Sequence, residues 1–205
     1  RPGGTGSHTA GMVQSGLFRA KQELSYFGEL TVPGLVPLVR DGIITRRNSA
    51  LHPGKFVATL IGNTPEERQL VHGNPAFEAY SIEYLLNPIT IARNESIVAI
   101  NGALGIDLTG QIAAYTIGPR IYAGMGGHLA FATGAYRAPR GRYVCVLPST
   151  AAGGTVSTIV PQFEPGQVVS VPREMADTVG GIRDSSPARK ERPAARRRTD
   201  QHRPP

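Results

Sequence analysis

Three glycines fall within four residues at Gly124-Met125-Gly126-Gly127, directly before a stretch, His128 to Tyr136, that suits a helix. Glycine tolerates positive φ and lets another group approach the main chain closely. The segment is therefore read as a tight backbone turn opening a helix. Free N–H groups at such a start form an anion site without any charged side chain. A phosphate, a carboxylate or a developing oxyanion can sit there. The pattern is not a Walker loop, because no Gly-Lys-Ser/Thr follows. It is not the dinucleotide fingerprint either, because Leu129 stands where that pattern has its third glycine. Taken alone, a glycine-rich turn is more often only a turn.

The surroundings narrow the class. A chain of 205 residues is long enough for one domain with a proper core. With 25 Gly and 17 Pro it favours short elements and turns over long helices. The single cysteine, Cys145, cannot form an internal disulfide, sits in an apolar run and reads as core packing; a cytoplasmic location is expected. No apolar run is long enough for a membrane helix, and residues 1 to 12 lack the apolar centre of a signal peptide.

The net charge of +7 raises the question of nucleic acid, and its distribution answers it. Residues 181 to 205 hold eight basic and three acidic residues, a net +5. The other 180 residues hold 14 basic and 12 acidic, a net +2. The body is nearly neutral and the tail has no aromatic interleaving, so neither nucleic acid nor membrane is an expected partner. The five histidines show no metal-ligand spacing, no metal is expected, and Ser149 is not in a G-x-S-x-G elbow.

Three parts are expected. Residues 1 to 22 are a loose lead-in, 23 to 180 the folded domain, and 181 to 205 a disordered basic tail with Ile182 as its one large aliphatic residue. Within the domain, Pro33 to Asp41 and Ala79 to Leu86 read as short helices. Thr64-Pro65-Glu66-Glu67 is a capping box that predicts a helix to about His72. Strands are expected over Gly54 to Gly62, Tyr143 to Leu147, Ser157 to Val160 and Gln167 to Val171. Extended pieces are expected over Ile89 to Arg93, Ile97 to Asn101 and Ile106 to Ala114. The class is α/β, a mixed sheet flanked by helices.

Four runs together carry a family resemblance. Ala99-Ile100-Asn101-Gly102-Ala103-Leu104-Gly105-Ile106-Asp107-Leu108-Thr109-Gly110-Gln111 resembles the S-I-N-x-A-L-x-V-D-L-x-G-Q run of CoA-transferases of the acetyl-CoA hydrolase/transferase family. Ile117 to Arg120 and Tyr122 to Gly127 resemble its G-T-R-x-Y-S-G-x-G-G segment. Leu147 to Ala151 and Val156 to Pro161 resemble L-P-S-T-A and V-S-R-I-V-P. The matches keep family order and spacing over about residues 24 to 179. The resemblance implies the CoA-transferase C-terminal domain fold.

The same resemblance implies a nucleophile. The family's motif H-T-E-M-x-x-D-G falls on Phe27-Gly28-Glu29-Leu30 and onward, with its glutamate at Glu29, Phe27-Gly28 in place of His-Thr, and Pro33 where an acid is common. A glutamate of this kind attacks an acyl-CoA thioester and passes through a glutamyl-CoA thioester. Asn101, Gly124, Gly126 and Gly127 are implied to contact CoA or the oxyanion. Coenzyme A is then a substrate, with no permanently bound cofactor. The partners are an acyl-CoA and a short-chain carboxylic acid, and water in place of the acid makes a hydrolase. Family members carry an N-terminal domain before the glutamate, so the chain is read as a fragment, completed by a homodimer or by a partner chain supplying that domain. A catalytically inactive remnant is the alternative.

Overall fold

The computed structural model describes residues 7–47 and 49–182. The helices are α1 (Ser7–Gln14), α2 (Pro37–Arg40), α3 (Pro65–Val71), α4 (Ile82–Leu85), α5 (Pro88–Ala92) and α6 (His128–Arg137). The longer strands are β1 (Phe27–Leu30), β2 (Phe56–Leu60), β3 (Phe77–Ala79), β4 (Val98–Gly102) and β5 (Gly105–Asp107). After the two-residue strands β6 (Ile112–Ala113), β7 (Thr116–Ile117) and β8 (Arg120–Ile121) come β9 (Arg142–Pro148), β10 (Thr150–Ala151), β11 (Val156–Ser157), β12 (Ile159–Val160) and β13 (Thr178–Ile182).

Two parallel three-stranded sheets make the frame, in the orders β1-β2-β3 and β13-β9-β4. In the first, Gly28 lies opposite Ala58, and Phe56 opposite Phe77. In the second, Ala99 pairs with Tyr143, and Val179 with Cys145. A mixed sheet, β12-β5-β6, and the antiparallel pairs β7-β8 and β10-β11 complete the α/β architecture. The mixed character is thus spread over several small sheets. Each parallel sheet has its own core. Helix α6 packs Phe131, Ala132 and Ala135 with Ile91, Ala99, Tyr143, Cys145 and Leu147. The other core gathers Leu35, Leu38, Ile44, Phe56 and Ala58.

The capping signal at Thr64 works as expected in one half only. Thr64 Oγ1 accepts the Glu67 N–H at 3.2 Å, which starts α3. The Glu67 carboxylate does not close the box on Thr64. It accepts the Asn63 N–H and the Gly34 N–H, each at 2.7 Å, and so ties α3 to the turn before α2. Helical structure expected from Pro33 is confined to α2, with turns leading into it.

Three expectations are corrected. Ile89 to Arg93 is not extended but lies mostly in α5. Asn87 Oδ1 accepts the Ile89 N–H at 2.9 Å and Pro88 takes the first turn, the same cap-then-proline signal as at Thr64. Burial of Thr90 and Ile91 outweighs the strand preference of the β-branched run. Gln167 to Val171 forms no strand, only a bridge from Val171 to Ile112, because side chains satisfy its neighbours: Ser170 Oγ accepts the Ala114 N–H at 2.8 Å. The lead-in includes α1, whose Val13 packs on the β1-β2-β3 core.

Ile106 to Ala114 is divided by a turn that Asp107 organises. Its Oδ1 accepts the Thr109 N–H at 2.9 Å, the Thr109 hydroxyl at 2.6 Å and the Gln111 N–H at 3.1 Å. Gln111 Nε2 donates to Oδ2 at 2.7 Å. Burial alone would raise this carboxyl, yet these bonds hold it below the usual carboxylate range. The basic tail beyond Ile182 lies outside the described residues.

Candidate active site

Glu29 and the glycine turn are 98 residues apart in sequence and in direct contact. The Gly127 N–H donates to Glu29 Oε2 at 2.8 Å. Gly127 is the N-cap of α6, with φ −73° and ψ 0°, so the carboxylate occupies the anion position that the glycine turn implies. Among the described residues Oε1 accepts no hydrogen bond.

Close approach is what requires glycine here. None of Gly124, Gly126 and Gly127 has a left-handed backbone. A Cβ on Gly127 would lie 2.6 Å from Leu86 Cδ2, 2.8 Å from Glu29 Oε2 and 3.1 Å from Phe131 Cδ2. At Gly126 a Cβ would be 3.4 Å from Glu29 Oε2, and at Gly124 it would meet open space. A side chain at Gly127 would therefore have to push Leu86 and the Glu29 carboxylate aside, whereas one at Gly124 would displace nothing.

Strand β1 explains the two residues before the glutamate. Tyr26 folds back across Gly28 and donates its hydroxyl proton to the Leu30 carbonyl at 2.6 Å. A Cβ on Gly28 would fall 2.5 Å from that hydroxyl oxygen, so glycine is required. Burial raises the Tyr26 hydroxyl pKa, and the charge of Glu29 adds to it. Phe27 shares the Glu29 face of the strand by the two-residue period. Its ring meets Phe131 of α6 edge-on at 6.5 Å and Tyr84 at 6.4 Å. The aromatic contact docks the strand that carries Glu29 on the helix that offers the amide.

Arg46 supports β1 from behind. It is 1% exposed, and its guanidinium donates to the Tyr26 carbonyl, the Leu51 carbonyl and the Ser49 hydroxyl. It also lies 6.0 Å from the centre of the Phe27 ring. Burial lowers its pKa to about 10 against the opposing charges of Glu78 and Tyr84. Sequence reasoning missed this residue. An arginine between a turn and a Ser-Ala loop carries no signal of burial.

Asn101, at the end of β4, lines the same cleft as Glu29 and Gly124 to Gly127. The cleft measures about 2360 Å³ and is bordered by both parallel sheets. Asn101 Oδ1 is buried and has no hydrogen-bond partner among the described residues. A buried amide oxygen left unpaired is costly, and it offers an acceptor for a ligand donor.

His128, the first residue of α6, is turned inward. It is 6% exposed, its Nε2 is hydrogen-bonded to the Tyr143 hydroxyl, and the Tyr115 ring stands edge-on to it at 6.3 Å. Burial lowers its pKa to about 4. Cys145 is wholly buried with its thiol pushed up to about 12 by burial, as a packing residue. Among the described residues no helix is long and apolar enough to cross a membrane, and no group of three or more His, Cys, Asp or Glu could hold a metal ion.

Residues 65–180 match the acetyl-CoA hydrolase/transferase C-terminal domain. Over 159 residues the chain is 36% identical to the 4-hydroxybutyrate coenzyme A transferase of Clostridium kluyveri, covering 78% of this chain and 37% of that protein. It is 33% identical to the succinyl-CoA:cyclohexane-1-carboxylate CoA transferase of Geobacter metallireducens, covering 78% and 36%. The chain thus spans little more than a third of the length of these relatives. The crystal structure of RipA from Yersinia pestis superposes with a TM-score of 0.74 at 34% identity, over 80% of this chain and 37% of that one. The 4-hydroxybutyrate CoA-transferase from Porphyromonas gingivalis gives 0.69 at 29% identity, over 87% and 42%. The glycine turn, Asn101, β4 and β9 all fall within the family match, and the chain belongs to the acetyl-CoA hydrolase/transferase family through its C-terminal domain.

Proposed function

We propose that this chain carries the glutamate arm of an acyl-CoA:carboxylate CoA-transferase site, with Glu29 as the nucleophile. The single observation that carries the reading is the Gly127 N–H aimed at Glu29 Oε2 at 2.8 Å, with Oε1 left to the cleft. It is supported by the names of the relatives, which are CoA transferases.

The chemistry follows from that asymmetry. Oε1 attacks the thioester carbonyl, the C–S bond breaks, and CoA thiolate leaves a mixed anhydride on Glu29. The thiolate then attacks Glu29 Cδ, placing the oxyanion on the oxygen that the Gly127 amide already holds. The anhydride C–O bond breaks and the acyl group departs as a carboxylate, leaving a glutamyl-CoA thioester. An acceptor carboxylate reverses the sequence to give the new acyl-CoA. A preorganised backbone donor at such an oxyanion is worth roughly 3 kcal/mol. Gly124 and Gly126 border the path, and Asn101 Oδ1 is an acceptor for a donor on CoA or substrate. In this reading the relatives' additional length, or a partner chain, adds contacts that tighten CoA binding, while Glu29 and the Gly127 amide suffice to form the adduct. Water replacing the acceptor acid makes the same site a hydrolase.

The test is to incubate the chain with acetyl-CoA, treat it with borohydride or hydroxylamine, and locate modification by mass spectrometry. Modified Glu29 is the expected result. A folded chain that forms no adduct overturns the reading and identifies an inactive remnant. An adduct accompanied by free acetate without an acceptor acid selects hydrolysis over transfer.

A further inference from the structure

We infer that His128 and Tyr143 form a buried clamp that fixes the Gly127 amide against Glu29, which makes His128 a positioning residue of the site. The inference rests on the proposed role of Glu29 for its catalytic meaning, but its geometry stands independently.

His128 follows Gly127 directly, so whatever holds its side chain holds the first turn of α6. The holder is the hydroxyl of Tyr143, a residue of zero exposure on the central strand of the β13-β9-β4 sheet. Tyr115, edge-on to the same imidazole, accepts at its carbonyl the Tyr122 N–H at 2.8 Å and the Ala123 N–H at 3.1 Å. One histidine therefore touches the anchors of both ends of the segment from Ala123 to Gly127. Burial keeps the imidazole neutral, with its pKa near 4, so the pair sets no positive charge beside the helix start.

The site has little slack. Leu86, Phe131 and Glu29 crowd Gly127 so closely that a single added carbon would be 2.6 Å from the nearest of them. A movement of α6 by a few tenths of an ångström changes the aim of the amide, and hydrogen bonds weaken steeply as they bend. An apolar residue at position 128 would leave the buried Tyr143 hydroxyl without this partner and would remove the directional bond that fixes the helix start against β9.

The experiment reads the Gly127 amide proton by NMR in the full chain. The quantity is the shift displacement caused by Glu29→Gln, measured in the parent and in Tyr143→Phe, His128→Leu and His128→Gln backgrounds. Tyr143→Phe and His128→Leu are expected to reduce the displacement to roughly half or less, since a misaligned donor senses the carboxylate weakly. His128→Gln, whose amide nitrogen can replace Nε2, restores it. Adduct formation at Glu29 slows about tenfold in Tyr143→Phe with an unchanged dependence on acetyl-CoA concentration, as expected when aim and not binding is lost. A folded Tyr143→Phe chain with the full displacement overturns the inference. Should His128→Leu not fold, Tyr143→Phe, which removes one oxygen, decides alone. Failure of the parent to form an adduct overturns the role of Glu29, while the displacement still judges the clamp.

Discussion

The sheet that bears Glu29 adds two buried charged side chains to its apolar core, whereas the sheet behind the glycine turn relies chiefly on apolar packing, with the His128–Tyr143 pair and the Asp177 carboxylate on the Tyr143 N–H beside it. In the first, Arg46 and Glu67 are 1% and 4% exposed and bond mostly to backbone groups of neighbouring turns. In the second, Phe131, Ala132 and Ala135 lie on Tyr143, Cys145 and Leu147, the Tyr143 hydroxyl is hydrogen-bonded to His128, and the Tyr143 N–H donates to Asp177 Oδ2 at 2.9 Å. The difference reflects what each half has to hold. Strands β1 to β3 are three to five residues long and joined by turns, so their register depends on side chains that reach across loops. Helix α6 has ten residues and a continuous apolar face, which a sheet can grip directly.

The largest expected effect tests the point where the two halves meet. Gly127→Ala forces its new carbon into Leu86, Phe131 and Glu29, displacing the carboxylate from the amide. Adduct formation at Glu29 should fall by about 100- to 1000-fold, read as the initial rate of labelling. Unchanged labelling would mean that the two halves do not depend on this contact.

Arg46→Leu probes the charged half. It removes the charged donor that joins the Tyr26 and Leu51 carbonyls and the Ser49 hydroxyl, and we expect a loss of about 3–4 kcal/mol in urea unfolding. Hydrogen exchange should rise first in β1 and β2 and last in β9; equal loosening of both sheets would erase the contrast. In the apolar half, acid is the probe. The His128 pKa is about 4 in the fold against 6.5 for the free side chain, so the unfolded chain binds the extra proton between these values. Stability from this group is complete above pH 6.5 and is lost as pH falls toward 4, by about 3 kcal/mol. In His128→Gln that part of the pH dependence disappears, as urea midpoints across the window would show. The smallest effect is local: Thr64→Ala removes the acceptor for the Glu67 N–H and should cost about 1 kcal/mol, read from the thermal midpoint.

Features whose information is local are legible in the sequence. The Thr64 cap, the run from Tyr143 to Leu147 and the start of α6 at the glycine turn need only neighbouring residues, and the structure has them. Asn87-Pro88 carries the same local signal, but the β-branched residues after it favour a strand unless burial against α6 is known. The resemblance pairs Glu29 with the glycine turn in role, but not in contact. The Gly127 bond depends on Phe27 meeting Phe131, and no periodicity in either segment encodes that pairing. Arg46 and the burial of His128 are likewise long-range properties, invisible to composition.

The separation of 98 residues between Glu29 and Gly127 also bears on how the chain folds. Closing a segment of that length costs on the order of 4 kcal/mol in chain entropy before any contact across it is rewarded. Turns and helices of short range, such as α3 and α6, form cheaply, and the contact between the Glu29 carboxylate and the Gly127 amide comes last. On the role proposed for Glu29, its labelling is then a clock for completed folding. After dilution from denaturant, labelling should lag behind the recovery of helical circular dichroism, and the lag would time the docking of the two sheets.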